Sequence, residues 1–305
     1  MKFIWLPIKS ISMLIISSII SSIVLFNNQS LAQLKLDKFD GDILSDLTSL
    51  PPGSSPILRP NQAGRKIDWR KILTSQFQEF TFKLPPPPPG KPVSGRIRGG
   101  GRRGSSYCPN TETSLTALVP AIRKTIKVGQ TNYVENNDWG LTTSERTTFY
   151  FYIPFSKSTD NQTSFPTKFF LQDEKTKKII YQSAVELPSK PGVIAVPLPK
   201  TVKPLELKKN YRWFFQIYCK PDIPEQLEGV VRRVKLSQKL IEKINAAQPR
   251  EQARLYAAEG IWFDSLDMLA KLRQKEPENK QLIKDWKNLV ESIGVVDVAD
   301  KPLVE

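Results

Sequence analysis

The sequence predicts an α+β fold: an antiparallel, Ig-like β-sandwich of about seven strands over residues 105–236, then a helical subdomain over 237–294. Three observations carry this. Tyr211 to Cys219 places Tyr211, Trp213, Phe215, Ile217 and Cys219 in one apolar row at strand spacing, with Arg212, Phe214, Gln216 and Tyr218 between them. Several shorter runs of the same kind follow one another from residue 111, separated by turn residues and no helix. Past Ser237 the period lengthens, until Leu282, Trp286, Leu289 and Ile293 lie on one face of a helix.

Taken in order, residues 1–32 have the form of an export signal. Lys2 and Lys9 begin it, Ile11 to Phe26 is apolar with interspersed serines, and Ser30-Leu31-Ala32 offers small residues for cleavage before Gln33. No cysteine follows the cut, so a lipid anchor is not expected, and no later run is long and apolar enough to span a membrane. Residues 33–104 form a largely irregular arm. Within it, Trp69, Phe77, Phe80 and Phe82 suggest a segment that docks on something, and Pro85 to Pro89 favours a stiff polyproline spacer. Gly99-Gly100-Gly101-Arg102-Arg103-Gly104 matches the dinucleotide glycine pattern, but prolines precede it and Ser-Ser-Tyr-Cys-Pro follows. The strand and helix that pattern requires are absent.

Strands are expected at Leu115–Val119, Thr147–Ile153, Lys168–Gln172, Lys178–Leu187, Val193–Leu198, Tyr211–Cys219 and Gly229–Leu236. Asp173 to Lys177 suits a hairpin loop, Pro191-Gly192 a type II turn, and Pro221 with Pro224 a longer loop. Glu135 to Gly140 reads as a polar loop with one docking tryptophan; it carries oxygen ligands but lacks EF-hand spacing. The Ig likeness is one of architecture, because Cys108 falls in a loop and Ile217, not tyrosine, lies two residues before Cys219. Helices are expected at Ser237–Ala247, Arg250–Ala258, Trp262–Lys275 and Glu278–Ile293, with Gly294 at the last C-terminus and 295–305 as a tail. Ala258-Glu-Gly-Ile-Trp-Phe-Asp-Ser-Leu, Ala270 and Pro277 resemble part of a single tetratricopeptide-like unit. One unit cannot bury its own face, so these helices are expected to pack on the sandwich.

Two cysteines in an exported chain point to one disulfide, Cys108–Cys219. The chain has no histidine, which removes Ser-His-Asp and Cys-His catalysis and nearly every zinc site, and no cofactor or metal is expected. Its formal charge is +15, and residues 85–127 hold eight basic side chains against Glu112 alone. Arg96, Arg98, Arg102 and Arg103 are therefore candidate anion-binding residues. Outside the cell, such a patch meets acidic glycans, lipid head groups or acidic proteins, not nucleic acid.

Acid–base chemistry without histidine needs paired carboxylates, and Asp173/Glu174 and Asp264/Asp267 are the candidates. The first pair sits among lysines and the second begins a helix, so salt bridging and dipole complementation account for both. Tyr150 and Tyr152, or Phe214 and Tyr218 with Arg212, would form aromatic platforms on an open sheet face; the expectation is that the C-terminal helices cover them.

Several pieces in this order and spacing resemble a cyanobacterial family known as domain of unknown function 928 (DUF928). They are Phe82-Lys-Leu-Pro-Pro, the Gly99–Gly104 tract with Cys108-Pro109, Leu115-Thr-Ala-Leu-Val-Pro120, Phe149-Tyr-Phe-Tyr-Ile-Pro154, Phe170-Leu-Gln-Asp-Glu174, Tyr211-Arg-Trp-Phe-Phe and Tyr256-Ala-Ala-Glu-Gly-Ile-Trp262. The resemblance implies an exported protein of the cyanobacterial envelope or periplasm and brings no catalytic residue with it. The functional expectation is a non-catalytic binding or scaffolding protein of the cell envelope that engages an anionic partner through its basic arm. A carboxylate-dependent glycan hydrolase and a tetratricopeptide-type adaptor are the alternatives.

Overall fold

The computed structural model describes residues 80–86, 95–99, 108–128, 130–157 and 165–304. The signal sequence, Trp69, Phe77, and Arg102 and Arg103 of the glycine-arginine tract lie outside the described residues. Among the described residues are nine strands: β1 Thr116–Ala117, β2 Ala121–Val128, β3 Thr131–Thr142, β4 Thr148–Ile153, β5 Thr167–Asp173, β6 Ile179–Ala184, β7 Gly192–Pro197, β8 Asn210–Lys220 and β9 Ile223–Arg233. Four helices follow: α1 Gln238–Asn245, α2 Pro249–Ala258, α3 Trp262–Lys275 and α4 Lys280–Glu291. The protein is α+β.

The apolar row of β8 is buried as its spacing demands, with Tyr211, Trp213, Phe215 and Ile217 at most 3% exposed. It lies inside a six-stranded sheet of order β2-β3-β9-β8-β5-β6, and a three-stranded sheet, β1-β4-β7, faces it. Aromatic rings fill the gap between them. Phe151 stacks on Phe215 with centroids 4.2 Å apart, and Phe149 meets Phe169 at 4.9 Å. Gly229 stands directly opposite Trp213 in the β8–β9 ladder, where a Cβ would come within 2.5 Å of the indole. Glycine at 229 is what lets Trp213 lie there.

Two features depart from the expected antiparallel pattern. The large sheet is mixed, because β3 runs parallel to β9 from Trp139↔Val230 to Thr142↔Arg233. Glu135 to Gly140, expected as a loop, lies within β3, whose backbone pairs with β2 from Asp138↔Ala121 to Thr131↔Val128. In addition, Pro224 lies inside β9, not in a loop. The β8–β9 connection is tight, with Asp222 in the left-handed region at φ 64°. Proline is tolerated at 224 because β3 joins that side of β9 only from Val230 onward.

The helices lie where the polar–apolar periods place them. Ser237 caps α1 by accepting from Leu240 N, and Asn279 caps α4 by accepting from Gln281 N and Leu282 N. Helix α3 packs across β3 of the large sheet and β4 of the small one: Phe263 lies against Gly140 and meets Phe149 edge-on at 5.3 Å, and Trp262 Nε1 donates to Leu118 O, just past β1, at 2.8 Å. Tyr150, on the face of β4 turned from the large sheet, meets Trp286 of α4. The helices cover Tyr150, as expected. Phe214 and Tyr218 lie on the opposite face of the large sheet and stay half-buried.

The described parts of the 33–104 arm have no helix or named strand of their own, yet they are bound into the fold. Phe82 packs edge-on against Trp262 at 4.9 Å, and Lys83 N donates to Ala257 O. Residues 95–99 bridge both sheets. Arg96 exchanges two 2.8 Å backbone hydrogen bonds with Glu228 of the large sheet, while Ile97 and Gly99 bond to Ala117 and Leu115 beside the small one. The C-terminal residues are also engaged, since Val193 of β7 bonds to Pro302 and Val304.

Cys108 and Cys219 form a disulfide across 111 positions of sequence. A closed loop of that length contributes on the order of 4–5 kcal/mol in the chain-entropy model.

Phe82→Ala removes the ring against Trp262 and should lower unfolding free energy by about 3–5 kcal/mol, read from the urea midpoint. An unchanged midpoint would mean that residues 80–86 rest on the fold without supporting it.

Candidate functional site

A cleft with a volume of about 710 Å³ lies between the β3–β4 connection, α2 and α3. Phe263, Met268, Leu272 and Pro249 supply apolar surface, and Arg146, Lys271 and Lys275 supply positive charge. The size suits a small ligand or a short stretch of a larger one. A second cleft, about 460 Å³, shares Pro249 and Leu272 with the first and continues toward Arg250, Asn279 and Leu282. The two hollows lie on either side of Pro249 and Leu272.

Both carboxylates of the predicted Asp264/Asp267 pair line this cleft. Asp264 occupies the first turn of α3, where a negative charge complements the helix dipole. It accepts hydrogen bonds from Thr142 Oγ1 at 2.7 Å, from Thr143 N at 3.0 Å and from the Thr143 hydroxyl. Burial raises its carboxyl above the usual range despite the threonine bonds that oppose the shift. One turn on, Asp267 accepts from Tyr150 OH at 2.9 Å and from Lys271 Nζ at 2.6 Å. Burial, with Asp267 beside it, drives the Tyr150 phenol well above its ordinary value, so it stays a proton donor. Arg146 is oriented by a bond from Nε to Val202 O at 2.9 Å.

Chemically, this is a cleft whose acids are answered from within. A general acid–base pair needs carboxylates free to address a water or a leaving group. Here Asp264 pins the β3–β4 connection to α3, and Asp267 pins Tyr150. The other pair is similarly engaged: Asp173 accepts from Lys175 N, Thr176 N and Lys209 Nζ, and the Lys209 bond foremost holds its carboxyl down at about 2. Glu174 binds Arg212 through two bonds of 2.8 and 2.9 Å. No group of three or more metal-ligating side chains occurs among the described residues.

Of the four predicted anion-binding arginines, only Arg96 and Arg98 lie among the described residues. Arg96 has an exposed side chain. Arg98 is held by Asp297 through bonds of 2.7 and 2.6 Å, so its guanidinium is taken up within the protein. The cleft residues Arg146 and Lys275 were not singled out from sequence, and Tyr256 stood out only within a family-like segment. The only local signal near Arg146 is the polar Thr142-Thr143-Ser144 stretch that leads into the strand of Phe149 and Phe151.

A family model described as Domain of Unknown Function (DUF928) matches residues 98–303, most of the chain. The chain belongs to the DUF928 family. No curated protein matches it. The matched region of this DUF928 protein contains the disulfide, both sheets and the whole cleft, and begins at Arg98, whose partner Asp297 stands near its other end.

Another strongly perturbed carboxylate lies elsewhere, on β3. Asp138 is 3% exposed, beneath Gly95, and burial pushes its carboxyl up to about 6, reinforced by Glu228 and opposed by Arg123 and Arg212. Its ordinary value is 3.8, so the folded protein holds this proton more tightly than the unfolded chain does. The associated stability is fully present below about pH 4 and is lost as pH rises through about 6. Asp138→Asn should abolish this slope. From pH 4 to 7 the wild type should lose up to about 3 kcal/mol relative to the variant, measured by urea unfolding at each pH. Parallel stability curves would contradict the assignment.

Proposed function

We propose that this DUF928 protein is a non-catalytic binding protein of the cell envelope, exported after loss of residues 1–32, whose anionic partner lies in the cleft beside α2 and α3. The observation that carries this reading is the cleft's composition. Its floor is apolar, three cations line it, and its two carboxylates are occupied by Thr142, Thr143, Tyr150 and Lys271. A partner therefore meets Arg146, Lys271 and Lys275 as the charges that face it. Lys271 remains 66% exposed in its pair with Asp267, which leaves it able to serve a second acceptor. The disulfide agrees with an oxidising compartment. The exposed Arg96 supports a contribution from the arm, which thereby becomes an accessory surface.

Two finer readings of the fold accompany this proposal. An Ig-like arrangement is supported by the facing sheets and their aromatic filling. A tetratricopeptide-like unit is supported by the α2–α3 pair, which turns at Gly260 with φ +75° and buries Ala270 completely. A glycan hydrolase is the second reading, favoured by the single fact that Asp264 and Asp267 share one cleft.

The test is binding of the purified protein to a panel of acidic polysaccharides and anionic lipid vesicles. Lys271→Glu combined with Lys275→Glu should weaken binding at least about tenfold and remove its salt dependence, while Arg96→Ala changes it little. Equal binding by the charge-reversed protein and loss in an Arg96/Arg102/Arg103 alanine variant would return the site to the arm. Sugar release that disappears in Asp267→Asn would establish the hydrolase.

A further inference from the structure

Sheet edges are sites where a second chain can add a strand, and this protein closes three of the four it has among the described residues. The edge of β1 is covered by residues 97–99, through Arg98↔Thr116 and the Ala117 N to Ile97 O bond. The edge of β7 is covered by the C-terminal residues, through the parallel bridge Val193↔Leu303. The edge strand β2 carries the exposed Arg123 and Lys127, charges of the kind that keep a second strand away. Among the described residues, edge strand β6 has none of these devices. Its six residues, Ile179-Ile-Tyr-Gln-Ser-Ala184, include no charge and no proline, and Ile179 and Ile180 are 50% and 36% exposed.

We propose that β6 is a self-association edge, where two copies of this chain pair antiparallel about a two-fold axis at Ser183 and join their large sheets into one. The backbone sets the register. Val185 N donates to Thr167 O on the β5 side, so by strand alternation Gln182 and Ala184 turn their N–H and C=O groups to the open side. Antiparallel pairing about Ser183 sets Gln182 of one copy against Ala184 of the other, twice, and satisfies these groups. The bulge between Leu171 and Gln172 lies outside that short ladder, toward Ile179.

Charge complementarity selects the second copy and the antiparallel direction. Lysines 175, 177 and 178 precede β6, and Glu186 follows it, its side chain 90% exposed with Lys157 of its own chain 3.7 Å away, a loose surface pair that leaves it able to meet a second cation. Antiparallel pairing brings Glu186 of each copy to the lysine end of the other, within diagonal reach of Lys178. A parallel arrangement would set the two lysine clusters side by side. The edge is short, so the association is weak, on the order of micromolar.

Sedimentation equilibrium of the purified chain tests this, with far-ultraviolet circular dichroism melts verifying that each variant folds. The wild type should show a concentration-dependent dimer. Gln182→Pro removes a central outward N–H at an edge position that accepts proline, and should raise the dimer Kd at least about tenfold without shifting the melt. Glu186→Lys should weaken the dimer similarly, and adding Lys178→Glu should restore it. Ser183→Cys should yield a covalent dimer under mild oxidation, because residues facing each other at the axis lie within disulfide range. A monomer at every concentration up to the solubility limit would overturn the proposal. So would a dimer indifferent to Gln182→Pro, or hydrogen-exchange protection of the Gln182 and Ala184 amides in a monomer, which would mean that the chain covers this edge itself.

Discussion

The contact of Phe151 with Phe215, one ring lying on the other across two sheets, sets the spacing on which the rest of this DUF928 protein depends. A layer of Phe149, Phe151, Phe169, Trp213 and Phe215 is too thick and too apolar to be left open at its rims. Each of these side chains contributes roughly 1.5–3 kcal/mol when fully buried, and only if water is excluded around the whole layer. The rims must therefore be sealed. Residues 95–99 bridge one side by bonding to both sheets, and the disulfide ties the end of β8 to the chain before β1. The helices seal the outer face of the small sheet, with Phe263 reaching in to Phe149.

The same construction explains why the cleft lies where it does. Thr142 ends β3 and Thr143 follows it, while Asp264 lies in the first turn of α3, so the strand end and the helix start meet at one carboxylate. The next turn presents Asp267 to Tyr150, the residue of β4 that points away from the aromatic layer. The hollow beside these bonds is the space that α2 and α3 leave where they diverge from the β3–β4 connection. Asp264 and Asp267 join the layers through these bonds, and Arg146, Lys271 and Lys275 line the hollow beside them.

Much of this was legible in the sequence because burial imposes a period. The alternation of β4, β5 and β8 located those strands to within about a residue, and the stripe of α4 located the last helix. Strand β3 was not legible. Asn132, Glu135, Asn136, Asn137 and Asp138 carry no apolar alternation, and their strand geometry comes from backbone pairing with β2. The Cys108–Cys219 bond could be found by elimination. The Arg98–Asp297 pair could not, because it joins positions 199 apart whose types are common throughout the chain. The cleft was half visible: Asp264 and Asp267 stand out as a helical pair. Their partners Thr142, Thr143 and Tyr150 lie more than a hundred positions away and become neighbours only after the layers have packed.

Hydrogen exchange at the sheet-bridging segment tests this account most directly. The amides of Arg96, Gly99, Ala117 and Glu228 each donate in the bonds that join residues 95–99 to the two sheets. If sealing of the aromatic layer is what holds the sheets together, these four should exchange only through global unfolding, with the same protection as Trp213 and Phe215 of β8. Exchange orders of magnitude faster than β8, under conditions where β8 stays protected, would show that the segment opens alone and that the layer is stable without it.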